Sequence, residues 1–140
     1  MNPLVVDASV LIKWFIVDDE GDRESAVQLR DAIAREHVTA VAPDLALYEV
    51  GNTLGRRIPE DAPLAMTALQ RLPLSLCPPQ PAEVEAGLAL VRAHGVTFYD
   101  AIYHAMALHR AGRLLTADRR YLDRTAAAGS AVLLADWSLN

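Results

Sequence analysis

Four acidic residues of the chain stand in apolar surroundings, where a surface charge is not expected. Asp7 follows the apolar run LVV, and Asp118 ends the segment RLLTAD. Glu49 lies within LALYEVGNTL, and Asp100 lies in the first turn of the apolar segment TFYDAIYHAMA. An unpaired buried carboxylate is costly, so an acid in such a place usually has a partner or a chemical task.

The chemistry that these acids would share is the binding of a hard divalent cation. Carboxylates that lie close together repel one another and have raised pKa values unless a positive charge intervenes. Mg²⁺ prefers oxygen ligands, keeps several waters, and binds through a few carboxylates together with substrate phosphate. A metal held in this way lowers the pKa of a bound water and stabilises the leaving oxygen, so the predicted reaction is phosphodiester hydrolysis.

Each acid taken singly also has a simpler structural interpretation. An aspartate at a helix start is often only an N-cap, which applies to Asp100 and Asp118. Glu49 is compatible with an ion pair to Arg56 or Arg57 on an exposed helix stripe. Four independent caps and pairs explain the joint pattern less well than one shared site does.

The elements that must position these acids alternate between strands and helices. Apolar runs predict strands at LVVD, TAVAP, LPLSLCP, RLLTAD and SAVLLADW. Helical spacing of apolar residues predicts helices between them, among them ASVLIKWFI and LALYEVGNTLGRR, the latter with Asp44 as its N-cap. The alternation predicts an α/β fold with a central, mainly parallel sheet of four to five strands and helices on both faces. Sites in such sheets lie beyond the carboxyl ends of the strands, where Asp7 and Asp118 are expected to face each other.

Composition limits the class of protein. At 140 residues, with 52% hydrophobic and 22% charged residues, the chain is expected to form a single domain over residues 1–140. No apolar run approaches the roughly 18 residues of a membrane span, and MNPLVVD lacks the basic start of a signal peptide. The one cysteine, Cys77, excludes an internal disulfide, so a cytoplasmic setting is expected. The net charge of −5 is unlike that of a general nucleic-acid coat protein.

Four segments together resemble a known family. VVDASVLIKW, PDLALYEVGNTL, VTFYDAIYHAMA and LLTADRRYL match, in order, segments of PIN-domain proteins, and especially of the VapC-type toxins of bacterial toxin–antitoxin pairs. The resemblance implies a PIN-like three-layer α/β/α sandwich and a Mg²⁺-dependent endoribonuclease, with Mn²⁺ able to substitute. It also implies an RNA substrate, a cognate antitoxin protein and a homodimer. By the same resemblance, the catalytic and metal-binding quartet corresponds to Asp7, Glu49, Asp100 and Asp118.

Two polar residues match the same family pattern. Thr116 resembles the Ser or Thr that the family often has two residues before its last acid, and its hydroxyl is expected to orient a ligand carboxylate or a water. Asn52 matches the family's E-x-x-N, and either a hydrogen bond within the site or simple stabilisation of the helix accounts for it.

Other polar residues are expected to have structural roles. Asp123 is flanked by arginines, so a surface ion pair is the favoured interpretation, ahead of a role as a fifth metal ligand. His104 shares a helix face with Asp100, but one histidine with one aspartate is a weak metal signal, so a packing role is favoured. The acidic run Asp18–Asp22 is expected to be a solvated loop.

Basic and aromatic residues offer contacts to RNA beside the acids. Arginines cluster in sequence around the segment LLTAD and fit either an RNA backbone or a salt-bridged helix surface; they are Arg110, Arg113, Arg119, Arg120 and Arg124. Tyr48, Tyr99 and Tyr103 fit either stacking on unpaired bases or, for most of them, packing in the core.

Two other functions compete with the nuclease. A phosphatase or phospho-acceptor domain would use an aspartate nucleophile with a lysine near the phosphoryl group, and the only lysine is Lys13. A catalytically silent PIN-like module would hold RNA or a protein without cutting it. Metal titration separates that module from the nuclease, because a binding module has no need of divalent cations.

Overall fold

Short aliphatic runs form the central sheet in the computed structural model, which describes residues 2–139. Within these residues there are five strands, all parallel, in the order β3-β2-β1-β4-β5. They are β1 (Leu4–Val6), β2 (Ala40–Pro43), β3 (Leu74–Cys77), β4 (Arg113–Thr116) and β5 (Ala131–Leu133). Central parallel strands are covered on both faces, which is why β1 and β2 are apolar and buried along their whole length.

Seven α-helices flank the sheet in the described part of the chain. They are α1 (Ala8–Ile12), α2 (Arg23–Ala34), α3 (Leu45–Arg57), α4 (Ala62–Arg71), α5 (Pro81–His94), α6 (Phe98–His109) and α7 (Arg119–Arg124). The chain moves outward from β1 to β2 and β3, then returns to β4 and β5 on the other side of β1. Since parallel crossovers are right-handed, this reversal places α1 to α4 on one face of the sheet and α5 to α7 on the other. The predicted three-layer α/β/α sandwich is confirmed.

The reversal of strand order also marks where a site belongs. In an open parallel sheet, ligands bind in the crevice beyond the carboxyl ends of the two strands from which the chain departs in opposite directions. Here those strands are β1 and β4, which pair in parallel through Val6 and Leu115. Asp7 comes directly after β1, and Asp118 comes two residues after β4.

Helix α6 is the most deeply buried helix beside this crevice. Every residue from Ala101 to Ala107 is buried, and the helix packs against α5 and against β1, β2 and β4. A helix that is apolar all round belongs in the interior, where each polar group it carries must find a partner. Its polar residues Tyr103 and His104 both have such partners, described with the site below.

Several predicted boundaries and caps are wrong. The last strand ends at Leu133 because Leu134–Asp136 form a 3₁₀ turn, and α1 ends at Ile12, short of the predicted Ile16. Asp44 has φ −61° and ψ −17° and makes no side-chain cap bond to α3. An N-cap residue is normally extended, so a residue that is already helical is poorly placed to cap.

The acidic segment after α1 is organised by the chain's only lysine. Lys13 Nζ lies 2.7 Å from Asp18 Oδ2, 2.9 Å from Glu20 Oε2 and 3.2 Å from Asp22 Oδ1. Lys13 and Asp22 are both buried, and a buried ammonium group requires such partners. The expected solvated loop is therefore wrong for Asp22, and the ammonium group of Lys13 is engaged by this acidic segment.

Candidate active site

The four predicted acids line one cavity of about 260 Å³ at the carboxyl ends of β1 and β4. Asp7 and Asp118 reach it from the strand ends, Glu49 from the second turn of α3, and Asp100 from the first turn of α6. The other residues that line the cavity are Ala8, Ser9, Ile12, Asn52 and Thr53. One helix from each face of the sheet, α3 and α6, thus contributes one acid to the crevice between the central strands.

Asp7 is held by hydrogen bonds to one of its two carboxylate oxygens. Its backbone is extended and it caps α1, with Oδ2 accepting from Ser9 N at 3.3 Å. The hydroxyls of Ser9 and Thr116 also donate to Oδ2, the latter at 3.2 Å. Oδ1 receives no hydrogen bond from the described residues, which leaves it free to bind a cation or a water.

The electrostatics at Asp7 favour a bound cation. Burial raises the pKa of Asp7 to about 6; the hydrogen bond from Ser9 opposes this change, and the negative charges of Asp100 and Glu49 add to it. Burial also raises the pKa of Asp100, as does the charge of Asp118. A positive ion between these carboxylates would remove the repulsion that raises their pKa values.

Thr116 connects two of the acids. It is buried at the end of β4, its Oγ1 donates to Asp7 Oδ2, and the same oxygen accepts from Asp118 N at 3.0 Å. The predicted contact of this hydroxyl with a carboxylate is present. Ser9 completes the cluster, because its Oγ accepts from Ala117 N at 3.0 Å while it donates to Asp7.

The N-cap interpretation holds for one acid and fails for another. Asp118 caps α7 by accepting from Tyr121 N at 3.1 Å, and it lines the cavity as well. Asp100 does not cap α6, because Thr97 does so by accepting from Asp100 N at 3.2 Å. The Asp100 carboxylate therefore has no capping role to explain its place at the cavity.

Glu49 is held by a tyrosine from the opposite helical layer. Tyr103, which is buried in α6, donates from its hydroxyl to Glu49 Oε1 at 2.6 Å. The alternative ion pair of Glu49 with Arg56 or Arg57 does not form within residues 2–139. Burial raises the pKa of Glu49 against the opposing effect of the Tyr103 hydrogen bond.

Sequence reasoning missed the contacts of Ser9 and Tyr103 with the acids. Ser9 had a recognisable signal, since it lies two residues after Asp7 at the start of a predicted helix, but a serine in that position is equally typical of a helix cap. Tyr103 was expected to stack on bases or to pack in the core, and it is in the core. Tyr48 and Tyr99 are instead well exposed, so packing in the core is wrong for these two.

The remaining candidates lie in the cavity, in the core and at the surface. Asn52 lines the cavity without a side-chain hydrogen bond to any described residue. His104 is fully buried; its Nε2 donates to Gly129 O at 2.7 Å, so its Nδ1 is left to accept from the Tyr121 hydroxyl at 2.8 Å. Asp123 is exposed and forms no ion pair in the described part of the chain, so the predicted pair is wrong.

The donors around the cavity fit a hard cation that keeps much of its water. Among residues 2–139, no three carboxylate, imidazole or thiol groups already lie close enough together to form a metal-binding cluster. Mg²⁺ does not require one, because it commonly binds through one or two carboxylates with waters and substrate phosphate completing the octahedron. Asp7 Oδ1 accepts no hydrogen bond from the described residues, and two further carboxylates lie near it. It is therefore the atom best suited to such a contact.

Known proteins are similar to this chain in sequence. A PIN domain model matches residues 4–128. Ribonuclease VapC3 of Pyrobaculum aerophilum is 34% identical over 129 residues, which span 86% of this chain and 93% of that protein. Ribonuclease VapC1 of Mycobacterium tuberculosis is 35% identical over 126 residues, which span 86% of this chain and 89% of that protein.

Solved structures share the fold at lower identity. A toxin–antitoxin complex from Klebsiella pneumoniae contains a chain with a TM-score of 0.69 at 20% identity, covering 94% of this chain and 97% of that one. VapC20 of Mycobacterium tuberculosis, a Sarcin-Ricin loop cleaving toxin, has a TM-score of 0.68 at 19% identity, covering 89% of this chain and 94% of that one. The family match and the relatives above 30% identity together show that this chain belongs to the PIN-domain family, in the group of the VapC proteins.

Proposed function

We propose that the protein is a metal-dependent endoribonuclease and the toxin of a toxin–antitoxin pair. The observation that carries the proposal is the single cavity lined by Asp7, Glu49, Asp100 and Asp118. It occurs in a chain whose relatives carry the name ribonuclease. A phosphatase using Lys13 is not supported, because that ammonium group is held by the acidic segment 18–22 and does not line the cavity.

The acids have distinct proposed roles. Asp7, Asp100 and Asp118 would hold Mg²⁺ or Mn²⁺, one or two of them directly and the rest through bound water, and Glu49 would bind a second cation or organise the attacking water. A divalent cation in such a site lowers the pKa of water and neutralises charge on the phosphate, which is the chemistry it supplies when bound.

The chain's own contribution is to hold the carboxylates in place. Ser9 and Thr116 fix Asp7 through Oδ2 and leave Oδ1 for the cation, so the ligand does not have to reorganise on binding. Thr116 also ties the backbone of Asp118 to the same cluster. Tyr103, which is buried, restrains Glu49 through its hydroxyl group. Pre-positioned donors and acceptors of this kind are a major source of catalytic power.

The proposed partners are RNA, a cognate antitoxin and a second copy of the chain. A toxin–antitoxin complex among the solved structures with this fold supports the antitoxin. Leu64, on α4, and Tyr48, on α3, are 77% and 68% exposed, and such apolar side chains suit a protein interface. No helix within residues 2–139 is long and apolar enough to cross a membrane. A cytoplasmic location, where cellular RNA is available, belongs to the same proposal.

The test is cleavage of a mixed RNA panel by purified protein with Mg²⁺, with Mn²⁺ and with EDTA. Asp7→Asn is the active-site variant, and Asp31→Asn, an exposed aspartate on α2, is its charge-matched control. We expect the wild type and Asp31→Asn to cut with either metal, and EDTA or Asp7→Asn to abolish cutting. Cleavage that survives in EDTA, or RNA binding without cleavage by folded, metal-loaded protein, would contradict the proposal; the second result would favour the silent binding module.

A further inference from the structure

A second groove, of about 240 Å³, adjoins the acid-lined cavity on the side of α7. The two depressions share Asp100 and Asp118, so a chain that crosses the cavity can continue into the groove. The loop of residues 95–97 forms part of the groove wall. Arg120 and Arg124 supply its positive charge.

These two arginines are available to bind an anion. They lie four residues apart on α7, so they project from the same face of the helix. Neither forms an ion pair with any acid in the described residues. Arg124 Nη1 donates only to Gly95 O, at 3.3 Å, and the Arg120 guanidinium forms no hydrogen bond or ion pair with residues 2–139. The salt-bridged surface that was the alternative for these arginines is therefore not what the structure has.

The other three arginines around LLTAD are placed differently. Arg110 donates to the fully buried Glu83 at 2.7 and 3.1 Å, which is a structural ion pair. Arg113 is the first residue of β4 and lines a cavity with Pro3 and Trp137, at the amino ends of the strands and so on the side of the sheet opposite the acids. Arg119 is exposed but lines neither the acid cavity nor the groove. Geometry thus separates two of the five sequence candidates from the rest.

We propose that this groove, which we call the α7 groove, holds the RNA backbone on one side of the scissile phosphate, with Arg120 and Arg124 each contacting a phosphate. The inference rests on the proposed ribonuclease function. A guanidinium fork matches phosphate oxygens bidentately, and two forks separated by about 6 Å along a helix suit neighbouring phosphates of one strand. Such contacts position the strand but carry no base information, so they act on every substrate sequence alike.

Binding is measured first, in the cleavage-deficient Asp7→Asn background, with a labelled RNA that the wild type cuts. The double variant Arg120→Ala/Arg124→Ala is compared with Arg71→Ala/Arg113→Ala. The control removes the same charge from residues that lie just before β3 and at the start of β4. We expect the α7 variant to lose roughly 10- to 100-fold in affinity at moderate salt, with the slope of log K against log salt falling by about 1.4, or about 0.7 per phosphate lost. The control variant should retain both values.

Kinetics in the Asp7-intact protein provide the second readout. We expect the α7 variant to raise KM with kcat nearly unchanged, and Arg120→Lys/Arg124→Lys to keep most of the salt slope because it keeps the charge. An unchanged salt slope, a loss confined to kcat, or equal weakening in the Arg71/Arg113 control would each overturn the proposal. Tight binding of inorganic phosphate or an acidic peptide with unchanged RNA affinity would overturn it too. Absence of cleavage by the wild type would refute the ribonuclease itself, a result recorded before any α7 variant is made.

Discussion

Tyr103 donates its hydroxyl hydrogen to Glu49 Oε1 across 2.6 Å, joining helices α6 and α3 beside the acid-lined cavity. The ring is only 1% exposed, so water has little access to this hydroxyl. Burial raises the pKa of Tyr103 above its ordinary value, and the contact with Glu49 raises it further, so the hydroxyl stays protonated and remains a donor. Glu49 is thereby held in one orientation by a residue that itself has little freedom to move.

Replacing Tyr103 with phenylalanine should impair catalysis more than folding. The loss of one hydrogen bond should cost about 1 kcal/mol of stability, whereas loss of an orienting group typically reduces activity or metal affinity roughly 10- to 100-fold. Cleavage rates measured over a Mg²⁺ titration should show a lower kcat and a higher Mg²⁺ concentration for half-maximal activity. Tyr99→Phe, an exposed change one turn earlier on α6, is the control, and a wild-type Mg²⁺ titration for Tyr103→Phe would show that Glu49 does not need this donor.

Thr116 should matter through its hydroxyl alone. Thr116→Val keeps the shape but removes both the donor to Asp7 and the acceptor for Asp118 N, so activity should fall roughly 10- to 100-fold. Thr116→Ser keeps the hydroxyl and should remain close to the wild type. Cleavage rates at saturating Mg²⁺ test the pair; equal activity of the two variants would mean that the hydroxyl is not used.

The positions of the acids were predictable to different degrees. Asp7 and Asp118 follow apolar strands, and parallel strands all end on the same side of a sheet, so strand assignment places both acids there. That they lie close together depends also on β1 and β4 being neighbours, which the structure shows. Glu49 and Asp100 lie on helices, whose rotation about their axes is not determined by a short pattern of apolar residues. Their apolar surroundings marked them as candidates, and the resemblance of whole segments to the PIN-domain family then supported their assignment to the site.

Contacts between distant segments were the part that sequence could not supply. The Tyr103–Glu49 hydrogen bond joins residues 54 positions apart, and its formation depends on how α6 and α3 meet at the sheet edge. The convergence of Lys13 with Asp22 depends likewise on the path of a loop. Asp123 lies at a helical spacing from arginines that would allow an ion pair, yet it forms none with the described residues. Exposed side chains gain little free energy from such a pair.

Asp7→Asn should stabilise the metal-free protein at neutral pH. The folded protein raises the pKa of Asp7 from 3.8 to about 6, so the native state binds this proton more tightly than the unfolded state does. Stability from this group is therefore fully present below about pH 4 and falls as the pH rises to 6, by on the order of 2–3 kcal/mol. Asparagine does not ionise, so the variant should be the more stable protein in EDTA at pH 7.5, and its advantage should shrink toward pH 4.

Urea denaturation in EDTA between pH 4 and 8 measures this difference. Asp31→Asn serves as the control and should follow the wild type at every pH. Added Mg²⁺ should raise the stability of the wild type and not that of Asp7→Asn, because a ligand that binds only the native state stabilises it by mass action. A variant that is less stable than the wild type across the whole pH range would contradict this prediction. It would mean that the hydrogen bonds accepted by the Asp7 carboxylate stabilise the fold by more than the burial of its negative charge destabilises it.

His104 should support the fold around the site and not the reaction. Burial lowers its pKa, and its neutral ring joins Tyr121 in α7 to the Gly129 carbonyl. Because the folded pKa lies below the unfolded value, the stability from His104 is present above about pH 6.5 and is lost as the pH falls through the folded pKa. His104→Ala should cost about 2–4 kcal/mol, since it leaves a cavity and two unpaired polar groups.

The matched measurement uses His104→Gln, which can still donate to one partner and accept from the other but cannot become charged. The difference in unfolding free energy between the wild type and His104→Gln should shrink from pH 7.5 to pH 5.5. His109→Gln, an exposed change at the end of the same helix, should leave the unfolding free energy unchanged at both pH values. Near-normal kcat for folded His104→Gln is expected because the ring does not line the acid cavity. A loss of kcat at full stability would instead place His104 in the chemistry.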